Sequence, residues 1–409
     1  MMPPFPKLLL PRAGALALVL AACSSSTTDG GVPPVAYVGA LPATLPARYV
    51  ANTLSVQASI NASTARPFLV DTGSPITGFD PSAWPDANVA SSTSVLGSLA
   101  VGPLTFTQVP SAALSECGTA CGPYDAAGLL GGNVLRSFVV AFDYRTPAVV
   151  LGPTAVPATV QASPTIVAFV LAGGGRGTIA GGNGQIVEVP PTRLVVQAQI
   201  DGAARTLVVD TGASFTLLRQ SLFAPLVADG RAQLTFKAAT ATGATQGTVA
   251  RARSLRVGAA AQAGSPVGGV ADADMDSIAS ETGHAVDGLL GGSFLRAFYA
   301  VVDYGNGHAA LYPYTAADPV ADEFTRVGVF LAASGGGYVV SHAVATTDSG
   351  LVGAMLVDVD GTTVAGKDPE QADRLLRGSL GATHTLHLQR GGVIEAKTLP
   401  VQDVLPLPP

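Results

Sequence analysis

Apolar residues along this chain come in short runs broken by Gly, Pro, Asn and Asp. Leu54, Val56, Ala58 and Ile60 alternate with more polar neighbours, as do Leu194, Val196, Ala198 and Ile200 with Gln197 and Gln199. Period-two alternation predicts strands with one face on a core. Beyond each run lies a denser one, Pro67-Phe68-Leu69-Val70 and Thr206-Leu207-Val208-Val209, which predicts a buried strand. Each dense run ends in the same turn, Asp71-Thr72-Gly73-Ser74 and Asp210-Thr211-Gly212-Ala213-Ser214. Glycine permits a tight turn there, and an Asp at the end of a core strand is costly to hold unless it is hydrogen-bonded or put to use.

A single Asp-Thr-Gly is an ordinary turn sequence. Here the whole pattern repeats. Gly128-Leu129-Leu130-Gly131-Gly132-Asn133-Val134-Leu135-Arg136 runs on to Phe138 and Asp143-Tyr144, while Gly288-Leu289-Leu290-Gly291-Gly292-Ser293-Phe294-Leu295-Arg296 runs on to Phe298 and Asp303-Tyr304. Ten of those seventeen aligned positions are identical. Two copies of one all-β lobe follow, each supplying one carboxylate. Composition agrees, with 48 Gly and 30 Pro between short apolar runs.

Strand, Asp-Thr-Gly turn and later Leu-Leu-Gly, twice over, resemble the aspartic proteases in their retropepsin-like and bilobal pepsin-like forms. The resemblance covers roughly residues 47 to 314. It implies that Asp71 and Asp210 form a dyad holding a water, that Thr72 and Thr211 brace the turns across the lobe interface, and that Gly73 and Gly212 let the backbone pass close behind the carboxylates. Leu129-Leu130-Gly131 and Leu289-Leu290-Gly291 resemble the segments that thread behind each turn. Covers for the cleft are expected near Leu96 to Leu104 and Ala238 to Val249. Neither contains the Tyr of a pepsin-like flap, which leans the match towards the retropepsin-like branch.

Residues 1–23 read as a secretory signal, with Lys7 and Arg12 before an apolar stretch from Ala13 to Leu20 that is too short to span a bilayer. Leu20-Ala21-Ala22-Cys23 resembles a bacterial lipobox, which implies lipidation of Cys23 and a membrane-anchored lipoprotein of the cell envelope facing the periplasm or exterior. A plain signal peptide or short anchor with an incidental Cys is the alternative. Residues 24–46 suit a flexible tether. In an oxidising envelope, Cys117 and Cys121 are expected to form a disulfide closing a small loop. The lobes are expected at 47–152 and 187–314, joined by a Gly-rich, hairpin-bearing linker at 153–186 whose glycines lack the Gly-Lys-Ser/Thr of a phosphate loop.

From about Phe324 the pattern changes. Strand-like Arg326 to Phe330 and Gly337 to Val340 precede Met355 to Val359, and Asp368-Pro369 with Gln371 predicts a capped helix bearing Ala372, Leu375 and Leu376. This order resembles a PDZ domain, expected as a small α+β module at 325–405. The resemblance makes Val327-Gly328-Val329 a carboxylate-binding loop for a peptide end, although Gly353-Ala354 stands where Gly-Asp is usual.

Only 12% of residues are charged, the net charge is −6, and no basic patch marks a nucleic-acid partner. The five histidines are scattered, and His384 and His387 fall on opposite faces of a strand, so neither a metal site nor a cofactor is expected. Two paired carboxylates suit acid–base hydrolysis, one activating water while the other donates a proton. The expected function is that of a lipid-anchored aspartic endopeptidase acting on a peptide or protein substrate. Alternatives are a non-catalytic peptide-binding envelope lipoprotein on the same scaffold, and an enzyme that cuts only its own chain or one partner.

Overall fold

The computed structural model describes residues 34–90, 93, 95–113, 126–178, 186–240, 243–316, 322–344 and 347–408. Cys23, Cys117 and Cys121 lie outside them.

The two lobes are mostly β, with helices Gln220–Leu226 and Asp272–Thr282 in the second, and both are built on one plan. In the first, the alternating strand Thr53–Ile60 pairs antiparallel with Arg66–Val70, which pairs parallel with Gly128–Leu130. Gly128–Leu130 then pairs antiparallel with Thr77–Phe79. In the second lobe, Arg193–Ile200, Ala203–Val209, Gly288–Leu290 and Thr216–Arg219 repeat these pairings with the same directions. Each Leu-Leu-Gly segment is thus held between the two strands that flank an Asp-Thr-Gly turn. Such a strand is covered on both faces, so it has no polar alternation.

A six-stranded layer ties the lobes together. Its order is Ala43–Val50, Ala148–Leu151, Val139–Asp143, Phe298–Asp303, His308–Pro313 and Thr165–Ala168, the lobes meeting where Val139–Asp143 pairs with Phe298–Asp303. The segment between the lobes therefore supplies a strand of this layer, and beyond it Gly175–Thr178 and Ile186–Val189 form a hairpin.

The stretch Leu96 to Leu104 is not a free cover. It forms the turn of the hairpin Val95–Val101 with Leu104–Ala113, and Leu96, Leu99, Val101 and Leu104 are all buried in the core of the first lobe. Val95–Val101 also pairs with Thr53–Ile60, so moving it would open the lobe. In the second lobe, Leu234–Thr240 and Gly243–Arg251 do form an antiparallel hairpin ahead of Pro266–Val270.

The C-terminal unit has strands Thr325–Val327, Val329–Ser334, Gly337–Ala343, Met355–Val359, Thr383–Arg390 and Val393–Asp403 around the helix Pro369–Arg374. Asp368 and Gln371 cap that helix reciprocally, as their spacing predicts. Val327, Val340, Leu356, Ala372, Leu386 and Val401 belong to the unit's own core. Phe324, Phe330, Val344 and Leu405 instead join Phe215, Phe236 and Val270 of the second lobe in one cluster, where Phe215 stacks on Phe324 at 5.9 Å.

Candidate active site

Each Asp-Thr-Gly turn starts from the strand behind it. The amide of Asp71 donates to the Leu130 carbonyl and that of Asp210 to the Leu290 carbonyl, both at 3.0 Å, so the buried Leu-Leu strand fixes where the aspartates leave the sheet. Each turn then folds back on its own carboxylate. Oδ1 of Asp71 accepts from the amides of Gly73 (2.8 Å) and Ser74 (3.1 Å), and Oδ1 of Asp210 from those of Gly212 (2.9 Å) and Ala213 (3.0 Å).

The two turns are locked to each other by their threonines. The Thr72 amide donates to the Thr211 hydroxyl and the Thr211 amide to the Thr72 hydroxyl, both at 3.1 Å. The Thr72 hydroxyl donates to the Val209 carbonyl at 2.9 Å, and the Thr211 hydroxyl to the Val70 carbonyl at 2.8 Å. Each hydroxyl accepts one bond and donates another inside a buried interface, a task a methyl group cannot perform.

Glycine is required two residues after each Asp by close approach. A Cβ on Gly73 would sit 2.4 Å from Cγ of Asp210, and one on Gly212 would sit 2.6 Å from Cγ of Asp71. The same distances show that each carboxyl lies against the opposite lobe's turn. Both aspartates are 0% exposed, and Oδ2 of each is buried with no hydrogen-bond partner among the described residues. Burial pushes the Asp71 carboxyl well above the usual range, and the charge of Asp210 adds to this. Asp210 is also raised by burial, against the pull of its bond with Asp71, the two turn amides and Arg193. At a separation of about 4 Å and an effective dielectric of about 20, two such charges repel by about 4 kcal/mol. Two carboxylates this close cannot both ionise cheaply, so the pair keeps one proton over a wide pH range.

Residues outside the repeated motifs' acidic turns complete the frame. Asn133 Oδ1 accepts from the amide and hydroxyl of Thr77 at 2.8 and 3.0 Å, while the Ser293 hydroxyl accepts from the Thr216 amide at 3.0 Å. The amides of Gly131 and Gly291 each reach the hydroxyl of Thr77 or Thr216 at 3.3 Å. Thr77 and Thr216 stand at the same distance after their aspartates, so the duplication itself was the signal for them. Arg193, buried beside the first turn, and Asn52, which donates to the Ser214 carbonyl at 3.2 Å, carry no repeated signal.

Val327, Gly328 and Val329 do not join this site. Val327 and Val329 are wholly buried, the Val327 amide donates to the Leu376 carbonyl at 2.9 Å, and a Cβ on Gly328 would meet the Thr347 hydroxyl at 2.1 Å. His384 and His387 turn to separate carboxylates, Asp360 and Asp358.

Residues 196–294 match the family model for aspartyl protease. That span holds the Asp210 turn and the second Leu-Leu-Gly, and the match supports the aspartic protease family. Among solved structures, the chain is similar to the aspartic proteinase from Irpex lacteus, with 17% identity and a TM-score of 0.40 over 68% of this chain and 98% of that one. No curated protein matches the chain.

Proposed function

We propose that this protein is an aspartic endopeptidase. The observation that carries the reading is the burial of Asp71 and Asp210 on two interlocked turns, each carboxyl held through Oδ1 by its own turn and lying against the glycine of the other. With one proton on the pair, the ionised carboxylate takes a proton from water as it attacks the scissile carbonyl, and the protonated partner donates to the carbonyl oxygen. The resulting gem-diol collapses by breaking the C–N bond, with a proton returned to the amine. No covalent enzyme intermediate is formed. The threonine lattice keeps the two carboxyls in register, so little reorganisation accompanies the step.

The first 23 residues are proposed to end in a lipidated Cys23, with a Cys117–Cys121 disulfide and an envelope location to match. Cys23→Ser should abolish lipid labelling and release the protein from membranes; unchanged fractionation contradicts the anchor. The C-terminal unit is proposed to take a peptide end at Val327 to Val329, which requires the Val327–Leu376 bond to open. The total burial of the dyad favours one rival, a peptide-binding protein that keeps the scaffold without turnover. Incubating the fragment lacking residues 1–23 with a diverse peptide library from acid to neutral pH separates the two. Cleavage that is lost in Asp71→Asn supports the peptidase, and silence at every pH supports the rival.

A further inference from the structure

The duplicated frame is symmetric in its backbone, yet one charge breaks the symmetry. Arg193 opens the strand Arg193–Ile200, and Thr53 opens its counterpart Thr53–Ile60. The two side chains behave differently. Thr53 turns its hydroxyl to the Val50 carbonyl at 2.7 Å and stays local. Arg193, 1% exposed, crosses the lobe interface, and its Nε donates to the Gly73 carbonyl at 2.9 Å.

Gly73 is also the residue whose Cα abuts the Asp210 carboxyl. A single glycine therefore lies between the guanidinium and one member of the dyad, and the Thr53 side brings no charge to the other. On the far side, Nη1 of Arg193 pairs with Oε2 of Glu281 at 2.5 Å, while Nη2 is buried without a bonding partner among the described residues. Arg193 is thus fixed at both ends, by Gly73 and by a buried carboxylate, and this is a costly arrangement to keep in an interior.

We propose that Arg193 is a positioning residue that makes the dyad asymmetric: it favours the ionised form of Asp210, leaves the shared proton on Asp71, and sets the pH range in which the pair holds one proton. This rests on the peptidase reading above. Arg193 is among the groups that oppose the upward push of burial on Asp210. The other titratable groups facing the pair are uncharged: the buried hydroxyl of Tyr304 near Asp71 and that of Tyr144 near Asp210 are both pushed up by burial. Glu281 is raised by burial and held down by Arg193, so its charge depends on the same ion pair. The water-attacking base is then Asp210 and the proton donor Asp71 in the first half of the reaction.

The experiment is the pH dependence of kcat/KM on a cleaved library peptide in three variants, with the pH dependence of Tm alongside. In Arg193→Met/Glu281→Gln, which strands no carboxylate, the acid limb of the profile, where Asp210 gains its proton, should move up by about one pH unit while the alkaline limb, set by Asp71, stays near its place. Glu281→Gln alone leaves the cation unneutralised and should move the acid limb down. Arg193→Lys keeps the charge, so the limbs should stay while kcat falls with the Gly73 bond. A buried carboxyl with a raised pKa costs stability as pH rises through that pKa, so the fall in Tm should shift in the same direction as the acid limb. An acid limb and Tm profiles that stay put in both the double variant and Glu281→Gln, whatever happens to the rate, overturn the proposal. If the parent cleaves nothing, the Tm shifts still decide the role of Arg193, and only the peptidase reading falls.

Discussion

Asp71 and Asp210, fully buried at the meeting of the two turns, are costly to the fold. Both carboxyls are raised, so their contribution is favourable below the unfolded value of about 3.9 and is lost as pH rises through the folded values. Asp71→Asn should therefore raise Tm at neutral pH by about 2 °C or more, with the gap closing near pH 4. A variant less stable than the parent at every pH would show that the ionised pair stabilises the fold. Thr211 is the opposite case. Thr211→Val leaves the Thr72 amide and the Val70 carbonyl buried without partners, an expected loss of about 2 kcal/mol or more in urea unfolding, while Thr211→Ser should recover most of it.

The elements that hold these residues were legible in the sequence wherever they repeat. The alternating strand, the dense strand, the turn and the Leu-Leu-Gly segment are local patterns, and duplication turned each weak signal into a strong one. What stays hidden in the sequence depends on pairing between distant segments. Nothing in Leu96 to Leu104 distinguishes a hairpin that covers a cleft from one packed at both ends into a lobe, and the structure shows the second. Thr165–Ala168 reads as linker until it is seen pairing with His308–Pro313. Arg193 reads as an isolated charge at a strand start, because its partners Gly73 and Glu281 lie 120 and 88 residues away. Asn52 is similar. Its side chain bonds to Ser214, Glu323, Tyr49 and Arg296, linking the turn before Thr53–Ile60 to the Asp210 turn and to the start of the C-terminal unit. Asn52→Ala should cost about 2 kcal/mol, since Glu323 and Arg296 each lose an amide hydrogen bond and keep their mutual ion pair at 3.7 Å. A loss under half that size in chemical denaturation would mean water replaces the amide.

At the scale of the whole molecule, three bodies meet one another, the first lobe touching the C-terminal unit where the Ala51 amide donates to Glu370 and Arg48 pairs with Asp368. The six-stranded layer joins the lobes, and the Phe215–Phe324 cluster joins the second lobe to the C-terminal unit. Arg251 reinforces the latter, its Nε donating to the Leu405 carbonyl at 2.5 Å while Nη2 pairs with Asp322 at 2.8 Å. Removing residues 325–409 takes Phe330, Val344 and Leu405 out of that cluster and should lower the Tm of the remaining lobes. A truncated chain that melts as the parent does would show that the unit merely rests on the lobe. On the peptidase proposal, a dyad drawn from two lobes acts only as a unit. The most direct measurement is kcat/KM for Asp71→Asn, Asp210→Asn and the double variant on one peptide. Residues acting together are strongly non-additive, so each single variant should lose about a thousandfold or more and the double variant little beyond that. Near-parental cleavage by either single variant would contradict a shared two-lobe site.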